Sequence, residues 1–558
     1  MIPQPRTVPE LTNDQWTDIQ GFIVYGYGIL PYARYLFLHV QDVTRAKAWL
    51  RELTDEIMTV QHWYDRVDRD VALNVAVTYQ GLKKLQVPLA TLETFAREFI
   101  DGIYEETRAQ LLGDTGESSP ETWQVGNPLK IGTEAEEHIV VLINAKTKAL
   151  LETTMDSPLF KEIGADSSVT SASGVYIVND QTGSTPESKK EPFGFRDGIS
   201  NPWIANTRDL VLDQRQIVKN RNGKQVVIGL EDDPVIKTGE FILGYEDEYG
   251  QLASSPLLLN EPHAGLPEVE LPTLPPDVNT VMDFGRNGSY VVYRKLEQDI
   301  DAFWKYMRDQ AETLYGGADP DRMSWLGAKC VGRWTSGVPM ALAPDKDDPE
   351  LAKRAIDERN NSLINNFHYI NQGADDKIDD ELGFGCPWGS HIRRNHPRDS
   401  LIDSMHLTDI PARSASSRQH RIMRRSVSWG KLADYQVHEP DFIENKGAPL
   451  EITFDKDHDY GSDEEGRGIH FFGVNSNIQR QFEFIMHAWT NDERFNGIYD
   501  NKDPILGDAS TPTDPTHMTI PEKGTFRKRL PEVPRFVHVR GGAYLFMPGI
   551  AALRFIAK

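Results

Sequence analysis

Three segments carry the side chains with the most chemistry to offer. The first is Phe193-Gly194-Phe195-Arg196-Asp197-Gly198-Ile199-Ser200-Asn201-Pro202, one carboxylate flanked by glycines. Glycines let the backbone turn tightly and approach a flat ligand, which leaves Asp197 projecting from a loop as an acid or base. A turn whose Asp caps neighbouring amides explains the same residues, and the segment by itself favours that plainer reading. The second is Gly385-Cys386-Pro387-Trp388-Gly389-Ser390-His391-Ile392-Arg393-Arg394-Asn395-His396-Pro397-Arg398. Pro387 can open a short helix and Pro397 close it, presenting His391 from a fixed frame. A neutral imidazole held this way suits axial ligation of a haem iron, and neighbouring guanidinium groups suit the haem's propionates. With 15 histidines in the chain, a merely packed or hydrogen-bonded His391 is the competing reading, and His391 with His396 is a poor bare-metal pair. The third is His420-Arg-Ile-Met-Arg424-Arg425-Ser-Val-Ser-Trp-Gly430, either a surface basic patch or a cation placed where negative charge develops in a reaction.

Such side chains need a frame. Gly21-Phe-Ile-Val and Tyr35-Leu-Phe-Leu-His-Val read as strand material, a helix is expected next, and Val71, Leu73, Val75 and Val77 alternate as a strand does. Leu92, Phe95, Phe99, Ile100 and Ile103 fall on one helical face. His138-Ile-Val-Val-Leu-Ile and Val175-Tyr-Ile-Val are further strands, separated by a helix around Lys146 to Lys161. The second half repeats these materials, with a turn and strand at Gly239-Glu-Phe-Ile-Leu-Gly-Tyr and a strand at Gly288-Ser-Tyr-Val-Val-Tyr-Arg. Amphipathic helices follow through Leu296, Ile300, Phe303, Trp304, Met307, Ala311 and Leu314, and through Ile478, Phe482, Ile485 and Trp489. Phe536-Val-His-Val-Arg-Gly-Gly-Ala-Tyr-Leu-Phe-Met-Pro reads as a strand pair broken at Gly541-Gly542. Glu261 to Asn279, Asp345 to Leu382, His438 to Gly466 and Tyr499 to Pro534 read as inserted surface loops, and acid runs such as Asp463-Glu464-Glu465 as solvated faces.

A chain of 558 residues exceeds one ordinary core, so two domains or one large duplicated domain are expected, with room for a cofactor. The net charge of −24 argues against general nucleic-acid binding, because phosphate contacts need clustered Lys and Arg. Cys330 and Cys386 are the only cysteines and make no disulfide framework. Met1 to Trp16 has no continuous apolar run, so neither a secretory signal nor a membrane span is readable and a cytoplasmic protein is expected.

The three segments, taken together and in this order, resemble the dye-decolorizing peroxidase family. The resemblance extends to Gly239-Glu-Phe-Ile-Leu-Gly-Tyr, Asn287-Gly-Ser-Tyr-Val-Val-Tyr-Arg-Lys-Leu-Glu-Gln-Asp, Lys329-Cys-Val-Gly-Arg-Trp, Gln481-Phe-Glu-Phe-Ile and the closing Arg540-Gly-Gly-Ala-Tyr-Leu-Phe-Met-Pro. It runs from about Asp18 to the last residues, interrupted by the insertions, which suggests a longer branch of the family. What it implies is an α+β fold of two ferredoxin-like halves, each an antiparallel sheet with flanking helices, arranged like a dimeric α+β barrel. The expected division is residues 1–235, ending with the Asp197 loop, and 236–558, the half that mainly holds haem b. The implied activity reduces hydrogen peroxide through an oxyferryl intermediate and oxidises dyes, phenols or similar aromatic donors.

Residue by residue, the resemblance makes His391 the proximal iron ligand, Asp197 the distal acid/base and Arg424 the distal arginine, with Arg425 competing for the last role. Ile469 and Phe471 match positions that wall the peroxide side, and Phe195 and Arg393 complete the expected cofactor contacts. Asn477 stands where relatives often carry an acid that orients the proximal imidazole, which leaves Glu483 or another acid to substitute. Trp388 and Trp429 are the first candidates to relay electrons to a bulky donor. No nucleic-acid or membrane partner is expected, homo-oligomerisation is left open, and the ending at Ala557-Lys558 disfavours shell cargo. The rival readings are a haem-handling protein, against which the presence of both Asp197 and Arg424 speaks, and a cofactor-free interaction protein.

Overall fold

The computed structural model describes residues 10–65, 70–168, 170–207, 217–219, 225–227, 235–269, 278–357, 361–370, 380–404, 410–430, 466–508 and 516–558. The barrel has eight long strands, several of them apolar runs or alternations: β1 Tyr32–Val40, β2 Val71–Val77, β3 Ile139–Ala145, β4 Val175–Ser184, β5 Ser289–Gln298, β6 Met423–Gly430, β7 Arg467–Asn475 and β8 Val537–Met547. They close a barrel in the order β1-β3-β2-β8-β5-β7-β6-β4. All its pairings are antiparallel. Within this order β4-β1-β3-β2 and β8-β5-β7-β6 follow the same 4-1-3-2 pattern, two ferredoxin-like sheets. Only Val77 with Phe546 and Ser428 with Ser184 pair across the seams.

Period-two alternation sorts the side chains. Ala33, Tyr35, Phe37, Val291, Tyr293, Phe472, Val474 and Leu545 pack together as one core, while Leu36, Leu38, Val40, Tyr290, Val292, Tyr544 and Phe546 join a second core on the opposite faces of the same strands. On the first half that outer face is covered by α1, Val43–Asp55, through Ala46, Trp49, Leu50 and Leu53. Asp42 caps α1 by accepting from Arg45 N at 3.0 Å.

The second half's strand β5 leads into α2, Ile300–Tyr315, capped by Asp299 and ended by the left-handed Gly316, then α3, Pro320–Val331. His391–Asn395 forms the short α4, Ile410–Gln419 forms α5, and 479–490 forms a wide-turned π-helical segment in place of the expected α-helix. The chain ends in α6, Ile550–Ile556. No helix among the described residues is long and apolar enough to cross a membrane.

Several sequence expectations are corrected. Gly21–Val24 is a short helix, and Gly239–Tyr245 is a buried turn holding the short 3-10 helix Thr238–Glu240, whose backbone ties into β7's end through Ser476 and Gln481. The face from Leu92 to Ile103 divides between Leu89–Leu92 and Arg97–Asp101. β8 runs unbroken through Gly541 and Gly542; the glycines admit Trp123 and Val125, which would meet a Cβ there at 2.7 and 3.2 Å. Three supposed insertions are partly core: Leu266 and Val278 are buried in the 261–279 stretch. Phe367, Tyr369 and Ile370 are buried in the 345–382 stretch, and Asp503, Met518 and Leu530 in the 499–534 stretch. Polar composition hid apolar residues spaced singly among charges. The run Asp463-Glu464-Glu465 and nearly all of 438–466 lie outside the described residues.

Candidate active site

The outer face of the second sheet carries polar side chains at its centre, where the first carries Leu36, Leu38, Val75, Val141 and Ile143. Arg294, Leu296 and Gln298 of β5, Arg424 and Ser426 of β6, Ile469 and Phe471 of β7, and Val537 and Val539 of β8 all line a cavity of about 270 Å³. The Asp197 loop, α4, the 479–490 segment and Ile505-Leu506 complete its walls.

On one wall stands His391, at the first position of α4 with Ser390 as N-cap. Its Nδ1 donates to Asp503 Oδ2 at 2.9 Å, leaving Nε2 with no hydrogen-bond partner among the described residues. The Asp503 side chain is fully buried and heavily used. Asn395 Nδ2 donates to its Oδ2 at 2.8 Å, and the amides of Ile505 and Leu506 donate to its Oδ1 at 2.8 and 3.0 Å. Burial acts to raise the Asp503 carboxyl, but the His391 imidazole and then Arg394 more than offset it and hold it below the usual carboxylate range. A carboxylate on Nδ1 fixes the tautomer and makes Nε2 a stronger donor to a metal.

Asp503 is therefore the acid that meets the His391 imidazole, where the sequence left Glu483 or another acid open. Asn477 is spent locally, accepting from Arg480 N at 2.9 Å, and Glu483 binds Arg108 and the Tyr544 hydroxyl. The sequence signal for Asp503 was slight: an acid inside a polar stretch 112 residues from its imidazole.

Across the cavity, Asp197 projects from a tight turn in which Gly194 and Gly198 take φ of +97° and +75°. Asp197 Oδ1 accepts from Gly198 N at 2.6 Å and lies 3.5 Å from Arg424 Nη1. Asn201 docks the loop on β6 by two hydrogen bonds with the Arg424 backbone, both at 3.0 Å. Arg424 Nη2 also donates to Ser200 Oγ at 3.3 Å. Strand alternation separates the doubled arginine: Arg425 points to the other face, where Nε and Nη2 donate to the carbonyls of Phe22 and Ile23 at 3.1 and 3.2 Å. Ile469 and Phe471 pair with Ser428 and Ser426 on β6 and stand beside Arg424 in the wall. Phe195 is 4% exposed, lines the cavity and stacks on Trp304 with centroids 6.0 Å apart.

Arg393 is a correction. It does not line the cavity: its guanidinium donates to Cys386 O at 2.6 Å, pairs with Asp380 at 3.2 Å, and lies over Tyr369 and Trp388. Two residues along a helix face different ways, so Arg393 cannot share His391's direction. The cavity's guanidiniums are instead Arg196, Arg294, Arg333, Arg421, Arg424 and Arg535. Arg294 is paired with Asp114. Arg196 Nη2 donates to Asn361 Oδ1 at 3.2 Å, while its buried Nη1 has no hydrogen-bond partner among the described residues. His396, which also lines the cavity, is buried and held well below the ordinary histidine range by that burial and by Arg421, whose Nη1 donates to His396 Nε2 at 2.5 Å.

No family model matches the sequence. Curated relatives do. A dye-decolorizing peroxidase of Mycena epipterygia is 26% identical over 507 residues, covering 87% of this chain and 76% of that protein. One from Exidia glandulosa is 25% identical over 562 residues, covering 99% and 88%. Over almost its whole length the chain is similar to dye-decolorizing peroxidases. Solved structures of that family share its fold: an ancestral D-type dye-decolorizing peroxidase superposes with a TM-score of 0.67 at 24% identity, covering 97% of this chain and 98% of the other. A decolorizing peroxidase from Auricularia auricula-judae gives 0.66 at 22%, covering 97% and 100%. The family's two ferredoxin-like halves are the two 4-1-3-2 sheets described above.

Proposed function

We propose that this protein is a haem b peroxidase that reduces hydrogen peroxide and oxidises dyes, phenols or similar aromatic donors. The observation that carries this reading is one cavity walled on one side by a carboxylate-backed imidazole and on the other by a carboxylate–guanidinium pair. The residues fit haem: His391 Nε2 is unengaged, Ile469, Phe471, Phe482, Val537 and Val539 offer apolar walls for a macrocycle, and the unpartnered Arg196 Nη1 suits a propionate. The two-domain division at 235/236 and a cytoplasmic setting belong to the same proposal, the latter supported by two buried free cysteines.

Bound haem supplies the two-electron reduction of peroxide and accepts two electrons, singly, from the donor. His391 would hold the haem iron, and Asp503 keeps that imidazole oriented and electron-rich. Asp197 takes a proton from one peroxide oxygen and returns it to the other, so that water leaves. Arg424 stabilises the negative charge that grows as the oxygens separate. Two donor molecules, each losing one electron and one proton, complete the balance to two waters.

The test is expression with sufficient haem, an absorbance spectrum, and dye oxidation on adding peroxide. A Soret band with peroxide-dependent dye loss is expected. Haem binding with no turnover would move the protein to haem handling, and absence of the band would remove the haem reading.

A further inference from the structure

We infer that Glu191 is the positioning residue for Asp197: its carboxyl clasps the backbone of the loop and sets where Asp197 stands against Arg424. This rests on the peroxidase reading of the cavity. Glu191 lies six residues before Asp197, lines the same cavity, and carries hydrogen bonds at both oxygens. Phe195 N donates to its Oε1 at 2.8 Å; Phe193 N and Gln298 Nε2 donate to its Oε2 at 3.0 and 2.6 Å. Its backbone closes the same turn, with Glu191 N donating to Phe195 O at 2.9 Å and Gly194 N to Glu191 O at 2.8 Å. Asp197 N then donates to Lys189 O at 2.9 Å, so the position of Asp197 follows from the turn that Glu191 holds. Gln298 belongs to β5, which ties the loop to the sheet that carries the rest of the site.

The clasp is sensitive to protonation. A carboxylate is acceptor only and can hold all three donors, whereas a protonated carboxyl loses acceptor capacity. Burial pushes Glu191 up to about 7, against the hydrogen bonds from Gln298 and the two amides, and the charge of Asp197 pushes the same way. Lys190 also faces it; burial brings Lys190 down to about 8, and Asp347 faces Lys190 in turn. On the side of α2 the loop meets Phe303 and Trp304, neither titratable. The loop is therefore taut above this range and looser below it.

Glu191→Gln keeps the size and one acceptor oxygen but does not ionise. In the haem-loaded protein the variant is expected to keep the wild-type spectrum and donor KM, to react with peroxide about 10–100-fold more slowly, and to lose an ionisation near 7 from the pH profile of that step. In the cofactor-free protein, amide hydrogen exchange at Phe193 and Phe195, corrected for intrinsic rates, is expected to gain protection as pH rises through about 7 in the wild type and to stay flat in the variant. Wild-type kinetics and exchange in the variant would overturn the inference, as would pH-independent protection in the wild type, which needs no variant to fold. A wild-type protein without a Soret band would instead defeat the peroxidase reading and leave the exchange result standing.

Discussion

The two halves of the barrel share one topology and differ in what their outer faces meet. On the first, Leu36, Leu38, Val75, Val77, Val141 and Ile143 are met by Trp49, Leu50 and Leu53 of α1, and the space is filled. On the second, the corresponding surface carries Arg294, Gln298, Arg424 and Ser426. The elements over it are a five-residue helix, a π-helical segment and a buried loop rather than one continuous amphipathic helix. One face gains stability from close packing; the other gives up packing for a cavity whose buried polar groups must each be held. The ferredoxin-like sheet is thus a neutral scaffold, and function arises where one copy's cover is withdrawn.

The sharpest way to break this comparison is His391→Ala, expected to remove most bound haem or change its ferric spectrum; full haem content with a wild-type spectrum would reject the ligand. Next is Asp197→Asn, which keeps the shape of the loop but accepts no proton, and is expected to slow the peroxide step about 10²–10⁴-fold in stopped-flow measurements. Arg424→Leu should keep haem and slow that step about 10²–10³-fold. Arg425→Leu should spare it and lower thermal stability instead, since its donors serve the Phe22 and Ile23 carbonyls; the reverse order would exchange the two roles. In the other half, Trp49→Ala should cost about 3–5 kcal/mol in denaturant unfolding while folded protein still binds haem one to one. Lost haem binding there would show that the halves are not separable in function.

The smallest effect is one of pH. Glu240, buried beneath the 479–490 segment and bonded to Arg480 at 2.9 Å, is pushed by burial up to about 7 from 4.5. Because the folded state holds this proton more tightly, stability falls as pH rises from 4.5 to about 7 and levels off beyond. Glu240→Gln should flatten that part of the curve, by about 1–3 kcal/mol. An unchanged slope in the variant would assign it to other buried acids, such as Asp18, which is raised to about 6 by its burial.

Much of this was legible in the chain. β1 to β5 and β8 show as apolar runs or alternations in the sequence, whereas β6 and β7 do not, and His391 and Asp197 stand in segments whose glycines and prolines announce special backbone. Local sequence encodes backbone preference and the direction of burial, so the elements and the candidate chemistry follow from it. It does not encode which distant side chain arrives. Asp503 was hidden because a carboxylate in a polar stretch looks the same whether it meets water or an imidazole 112 residues away. Arg393 misled because sequence proximity to His391 ignores helical direction, and Glu191 drew no notice because its role is a set of backbone amides. The doubled arginine states the lesson most simply. The sequence determined only that two guanidiniums stand side by side; the structure makes their stretch a strand, which sends them to opposite faces, and the closing of the barrel, which turned one face toward the Phe22 and Ile23 carbonyls and the other toward Asp197, decided which of them meets the site.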